Sequence, residues 1–242
     1  MPASFEAFYA STLQGTWLQL PVPALFLGYL LLVGRQRAQS YGRPRASFVV
    51  AYCMVFSVET LLDPVLGGPV SSGLGLPAGL QSAVMFSFVW LGDFRVTLLV
   101  CELGDATRPW LRAALLATLV PLVDLVLFFG LLRSIWPELP GQLLWLVHET
   151  AFLALALWMR AVWVPRLTPE EPAGQRRFLR RALAYVAAYY ALWVGADLLI
   201  LAGLELGWAL RLVPNQLYYA FWTPFVFFSF MASRRGRSGA ES

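Results

Sequence analysis

The sequence contains no lysine; all 18 of its basic residues are arginine. A retinal Schiff base needs a lysine amine, so that large class of seven-helix proteins is excluded. Charge of either sign is scarce, at 13% of residues, about half the roughly 25% of an ordinary soluble domain. Cysteine occurs twice, as Cys53 and Cys101, and histidine once, as His148. With so few soft ligands, and none at ligand spacing, neither a metal site nor a haem or other cofactor is expected. The two cysteines fall toward the cytoplasmic ends of their helices in the topology derived below, where a disulfide is not expected.

What fills the sequence instead is apolar. Hydrophobic residues make up 59% of the 242 positions. A helix needs about 20 such residues to cross roughly 30 Å of hydrocarbon. Runs of that length predict spans at 16–34, 47–67, 80–101, 111–133, 141–164, 180–203 and 211–232. Segments rich in Gly, Pro and Ser (67–79) or in Pro, Glu and Gly (165–175) separate them. Glu6 is the only charge before the first span, so a cleaved signal peptide is not expected. The expected fold is an all-α integral membrane protein, one seven-helix bundle over residues 1–242 in the cell membrane, or the inner membrane if the source is bacterial.

Arginine placement orients the bundle. Arg35, Arg37, Arg43 and Arg45 follow the first span; Arg108 and Arg112 follow the third. Arg160, Arg166, Arg176, Arg177, Arg180 and Arg181 surround the fifth connection, and Arg234, Arg235 and Arg237 lie in the tail 233–242. The alternate connections hold only Arg133 and Arg211. By the positive-inside rule the N-terminus is outside and the C-terminus cytoplasmic. The net charge of +4 is therefore a topology signal and not a nucleic-acid footprint. Lipid and a small-molecule ligand are the expected partners, and a homo-oligomer is left open.

The outer spans look alike. Leu13-Gln-Gly-Thr-Trp-Leu-Gln-Leu aligns with Leu139-Pro-Gly-Gln-Leu-Leu-Trp-Leu, and Phe26-Leu27 with Phe152-Leu153 at the same offset. Ala51-Tyr52 and Leu61-Leu62 align with Ala188-Tyr189 and Leu198-Leu199. This reads as a parallel three-plus-one-plus-three repeat, 13–101 and 139–232 joined by helix 111–133. Parallel repeats occur in sugar carriers of the SWEET type, whose topology this resembles, although their paired proline-glutamine signatures are absent.

Ionisable groups inside spans are costly and usually face a bundle interior or a water-filled cavity. Helical spacing sorts those present into stripes: Tyr52, Phe56, Glu59 and Asp63; Ser82, Phe86, Trp90, Asp93 and Thr97; Gln142, Trp145, Glu149 and Phe152; Tyr190, Trp193 and Asp197; Asn215, Tyr219 and Trp222. Five helices thus each present an acid or amide beside aromatic rings. Glu59, Asp63, His148, Glu149, Asp197 and Asn215 come out in the outer half and Asp93 deeper, which predicts a cavity open to the outside. Arg95 is expected to pair with Asp124. His148 beside Glu149 reads either as a proton-relay element or as a histidine donating to a nearby carbonyl.

Carboxylates neutralise cations and aromatic faces attract them. The leading expectation is therefore a carrier of a small cationic or polar molecule, with protons exchanged at Glu59, Asp63 or Asp197 and hinges at Pro21, Pro23, Pro121 and Pro224. A second is an intramembrane enzyme, with Glu59 and Asp197 as catalytic acids on an isoprenoid-like substrate. Its size, seven spans and second-helix glutamate resemble the membrane-bound terpene cyclases of fungi and bacteria. That family carries a further acid in its last helix, where Leu212 to Met231 has none, and a tryptophan where Val58 stands. A third is a receptor or sensor with its ligand in the outward cavity, signalling through a separate partner.

Overall fold

The computed structural model describes residues 4–11, 13–34, 36, 44–66, 73–104, 110–167 and 173–235, and among them all regular structure is helical. Nine helices are introduced in chain order: α1 (Phe5–Tyr9), α2 (Pro21–Tyr29), α3 (Pro44–Val65), α4 (Ala78–Gly104), α5 (Trp110–Leu125), α6 (Gly141–Trp158), α7 (Ala173–Leu201), α8 (Leu206–Asn215) and α9 (Trp222–Arg235). Wide π-type turns precede α2 (Leu13–Leu18) and extend it (Leu30–Gly34). Others extend α5 (Val126–Leu132) and α6 (Met159–Trp163), and Gln216–Ala220 lies between α8 and α9.

Five helices are long and apolar enough to cross a membrane: Arg45–Val65, Ala78–Gly104, Trp110–Ile135, Gly141–Arg166 and Gly174–Leu201. They coincide with the five central predicted spans. The first and last predicted spans are helical but interrupted. At the N-terminal end, Pro21 starts a fresh helix, since a residue without an N–H is suited to the first turn. At the C-terminal end, Pro214 near the end of α8 removes a backbone donor, and five-residue turns follow it.

Arg35, Arg37 and Arg43 of the first predicted connection and Arg108 of the third lie outside the described residues. Arg160, Arg166, Arg177, Arg180 and Arg181 are exposed. Cys53 is buried and Cys101 half-buried, and no disulfide joins them.

The chain separates into two compact units. One holds the described residues of Met1–Ser11 and Val89–Asn215, the other those of Thr12–Phe88 and Gln216–Ser242. In the first unit, α7 packs against α6 and α8, and α1 against α8. Alanines 113, 117, 156, 182 and 196 are buried, and small residues let helices approach closely where lipid offers no hydrophobic drive. Leu111, Leu115, Leu119, Leu122 and Val126 of α5 and its extension are exposed, a face suited to hydrocarbon and not to water.

Gly203 ends α7. It takes φ +75°, donates to Ile200 O, and lets Leu204 N–H reach back to Leu199 O, a left-handed cap that turns the chain directly into α8. The two helices then touch backbone to backbone. A Cβ on Gly207 would lie 2.6 Å from the Ala196 carbonyl oxygen. This close crossing brings α8 side chains down onto α7.

The second unit is built on α2, α3 and α9, which pack on one another. Its core is aromatic: Phe26, Tyr29, Phe227 and Phe228 meet ring to ring, and Trp222 is fully buried. Trp222 Nε1 donates to the Tyr52 hydroxyl at 3.0 Å, and Ser57 and Thr223 share a hydrogen bond of 3.1 Å.

Candidate functional site

Six buried ionisable side chains of the first unit, Asp93, Asp124, His148, Glu149, Asp197 and Arg211, form two clusters, carried by consecutive residues of α6. His148 belongs to one and Glu149 to the other.

In the first cluster His148 stands between two carboxylates. Its Nδ1 is bonded to Asp124 of α5, and its Nε2 lies 3.4 Å from Asp93 Oδ2 of α4. Asp93 also accepts the hydroxyl hydrogen of Tyr190 on α7. Four helices therefore meet at one imidazole. Phe129, Trp145 and Phe152 surround that ring at centroid distances of 5.7, 5.7 and 5.1 Å. His148 and Asp93 are 3% and 1% exposed, so the charges have protein, not water, for neighbours. Thr97, one turn along α4, can donate to the Ala117 carbonyl at 3.0 Å and ties α4 to α5 beside the cluster.

In the second cluster Arg211 of α8 reaches two acids. Its Nη2 donates to Glu149 Oε1 at 2.9 Å, and its Nη1 lies 3.1 Å from Asp197 Oδ1 on α7. The Glu149 and Asp197 carboxyls also lie within reach of one another, and the Gln142 amide stands beside Asp197. The Tyr9 ring of α1 covers the guanidinium, 5.6 Å from its central carbon, and packs on Trp208 at 5.4 Å. Asn215 joins the same wall: it accepts from Trp193 Nε1 at 2.9 Å and donates to the Tyr9 hydroxyl at 3.2 Å.

Tyr190, whose ring contacts that of Trp193 at 5.5 Å, connects the clusters. The stripe Tyr190, Trp193 and Asp197 predicted on one face of α7 thus meets Asp93, Asn215 and Arg211 in turn. Buried charges of this kind require partners, because an unpaired ion in a low dielectric is very costly.

Several expectations need correction. Asp124 pairs with His148, not with Arg95, because the imidazole occupies its carboxylate. Arg95 is itself buried and acts electrostatically on Asp93 and Tyr185. His148 donates to no backbone carbonyl among the described residues; both its nitrogens face acids. Glu149 is not its partner, since consecutive helical residues point about 100° apart. The stripe Asn215, Tyr219 and Trp222 is not continuous. The wide turn Gln216–Ala220 shifts the register, so Asn215 bonds within the first unit and Trp222 within the second.

The remaining predicted residues are elsewhere. Trp90 stacks on Phe94 at 5.2 Å and donates to the Thr118 carbonyl at 3.2 Å, an anchor between α4 and α5. Glu59, buried, and Asp63, half-buried, lie on α3 in the second unit with Tyr219 and Trp222. The Thr60 hydroxyl can donate to Glu59 Oε2 at 3.3 Å.

Two members of the site escape a reading by sequence. Arg211 looks like a loop charge, yet Trp208, Arg211 and Asn215 recur at three and four, a helical stripe. Tyr9 carries no pattern, lying in a helix of five residues. Among the described residues no group of three or more His, Cys, Asp or Glu is arranged to hold a metal ion. Comparison of the chain with protein-family models, with curated proteins and with solved structures yielded no match.

Proposed function

We propose that this chain is a seven-helix carrier that moves a small cationic or polar molecule across a cell membrane in exchange for, or together with, protons handled at His148. The observation that carries this reading is the imidazole held between Asp93 and Asp124 in the interior of a helical unit. Chains of Asp, Glu and His within membrane segments mark ion paths and proton relays. A single proton on the ring changes which of the two carboxylates is compensated, so one protonation event can alter how α4, α5 and α6 hold together. The second cluster supplies carboxylates beside aromatic faces, the chemistry that suits a cation.

The two interrupted helical paths, Leu13–Gly34 and Leu206–Arg235, complete seven crossings with the five long helices. The arginine distribution supports a cytoplasmic C-terminus. A cyclase reading, with Glu59 and Asp197 as its acids, is less well supported. Asp197 stands in an ion cluster with Arg211 and Glu149 and would first have to leave it. A receptor would need a site but not the buried histidine relay.

The test is transport. Purified protein in proteoliposomes, with an imposed pH gradient, is expected to accumulate at least one member of a radiolabelled panel of small amines, quaternary ammonium ions and guanidinium compounds. Accumulation should collapse when the gradient is dissipated. Absence of gradient-driven uptake across the panel would overturn the carrier reading.

A further inference from the structure

We infer that Arg211 is a tethered occupant of a binding site for a guanidinium-type cation, formed by Glu149 and Asp197 and walled by Tyr9, Trp208 and Asn215. The inference deepens the carrier reading and rests on it for the direction of movement, but not for the binding itself.

Three observations lead here. The first is donor supply. Asp197 is 0% exposed; Glu149 and Gln142 stand beside it, yet neither of its oxygens, nor Glu149 Oε2, is met in full hydrogen-bond geometry. The Arg211 approach to Asp197 is an ion contact without hydrogen-bond alignment. Buried carboxylate oxygens are almost always satisfied, and a species carrying several N–H groups would supply donors to all three. Guanidinium has that form, with planar donors in a fork that matches a carboxylate edge.

The second is charge. Glu149 and Asp197 present two carboxyls to the single positive charge of Arg211. A cation that replaces the arginine meets the same two acids.

The third is the wall. Tyr9 presents its ring 5.6 Å from the Arg211 guanidinium carbon, and Trp208 backs that ring. The site thus already holds a guanidinium between two acids and an aromatic face, which is how proteins recognise such ions. Arg211 stands on a ten-residue helix whose last turn contains Pro214, so its hold is on one short element. A diffusible guanidinium can take the same acids when α8 withdraws its own, and Arg211 returns when the ligand leaves. The cluster is never left with both acids bare.

The experiment is binding of methylguanidinium to the full-length protein in nanodiscs, followed by calorimetry, with tetramethylammonium as a cation that has no N–H donor. Wild-type protein is expected to bind methylguanidinium at least about tenfold more tightly than tetramethylammonium, the factor that one charge-assisted hydrogen bond supplies. Asp197→Asn should weaken methylguanidinium by about tenfold or more, for the same reason. Arg211→Gln, by removing the internal competitor, should strengthen it. If Arg211→Gln does not fold, the wild-type and Asp197→Asn comparison decides. No binding to wild-type protein, equal affinity for the two cations, or an affinity unchanged in Asp197→Asn would each overturn the inference. Gradient-driven uptake of another member of the panel, with no methylguanidinium binding, would sink this inference and leave the carrier standing.

Discussion

Glu149 and Asp197 stand on different helices and share one guanidinium, that of Arg211, through contacts of 2.9 and 3.1 Å. Removing that cation leaves two buried acids facing one another. Arg211→Gln is expected to destabilise the protein by about 3–5 kcal/mol, the usual loss on breaking a buried pair from one side. Adding Glu149→Gln should recover part of it. Thermal melts of the single and double variants in detergent provide the check; strictly additive losses would mean that the two residues are not coupled.

Tyr190 and Trp193 each close a buried hydrogen bond, but to acceptors of different charge. Tyr190→Phe removes a donor from Asp93 and should cost about 1.5–3 kcal/mol, whereas Trp193→Phe removes one from the Asn215 amide and should cost about 0.5–1.5 kcal/mol from the bond itself. The ranking can be read from denaturation midpoints. The reverse order would indicate that Asp93 is held mainly by His148.

The α7–α8 crossing depends on Gly207 lacking a side chain. A Cβ there would meet Ala196 O and Ile200 Cγ1, both at 2.6 Å, so Gly207→Ala should destabilise by about 1–3 kcal/mol through overpacking. It should also move Arg211, on the same helix, away from its acids. Methylguanidinium affinity is therefore expected to change in Gly207→Ala, although residue 207 touches no ligand. An unaltered affinity and melting point would show that α8 can shift at no cost.

Orientation is testable by labelling. With Cys53 and Cys101 replaced by alanine, a cysteine at Ser4 or Ser134 should react with a membrane-impermeant thiol reagent added outside intact cells. One at Ser233 should react only after permeabilisation. The opposite pattern would reverse the topology.

The five long helices were legible because an uninterrupted apolar run of about 20 residues has few other stable destinations. The interruptions at the ends were not, because Pro21 and Pro214 are compatible with both a continuous and a broken membrane helix. On α7 the three-and-four spacing of Tyr190, Trp193 and Asp197 was enough, since a regular helix preserves phase. Beyond Asn215 the same reasoning failed, as wide turns shift the phase by an amount that spacing cannot reveal. Arg211 was misread because an arginine near a span end carries the same sequence signal whether it faces a headgroup or a buried acid. Which of the adjacent His148 and Glu149 meets which partner is a matter of helix rotation, fixed only by the packing of α5, α7 and α8 around α6.

The central claim is that His148 handles the coupled proton. The most direct measurement records internal pH with an entrapped dye as an accumulated member of the cation panel enters proteoliposomes. Wild-type protein should show a substrate-dependent proton movement, and His148→Gln should lose it while keeping measurable binding of the same cation. Proton movement of undiminished size in a folded His148→Gln protein would contradict the account.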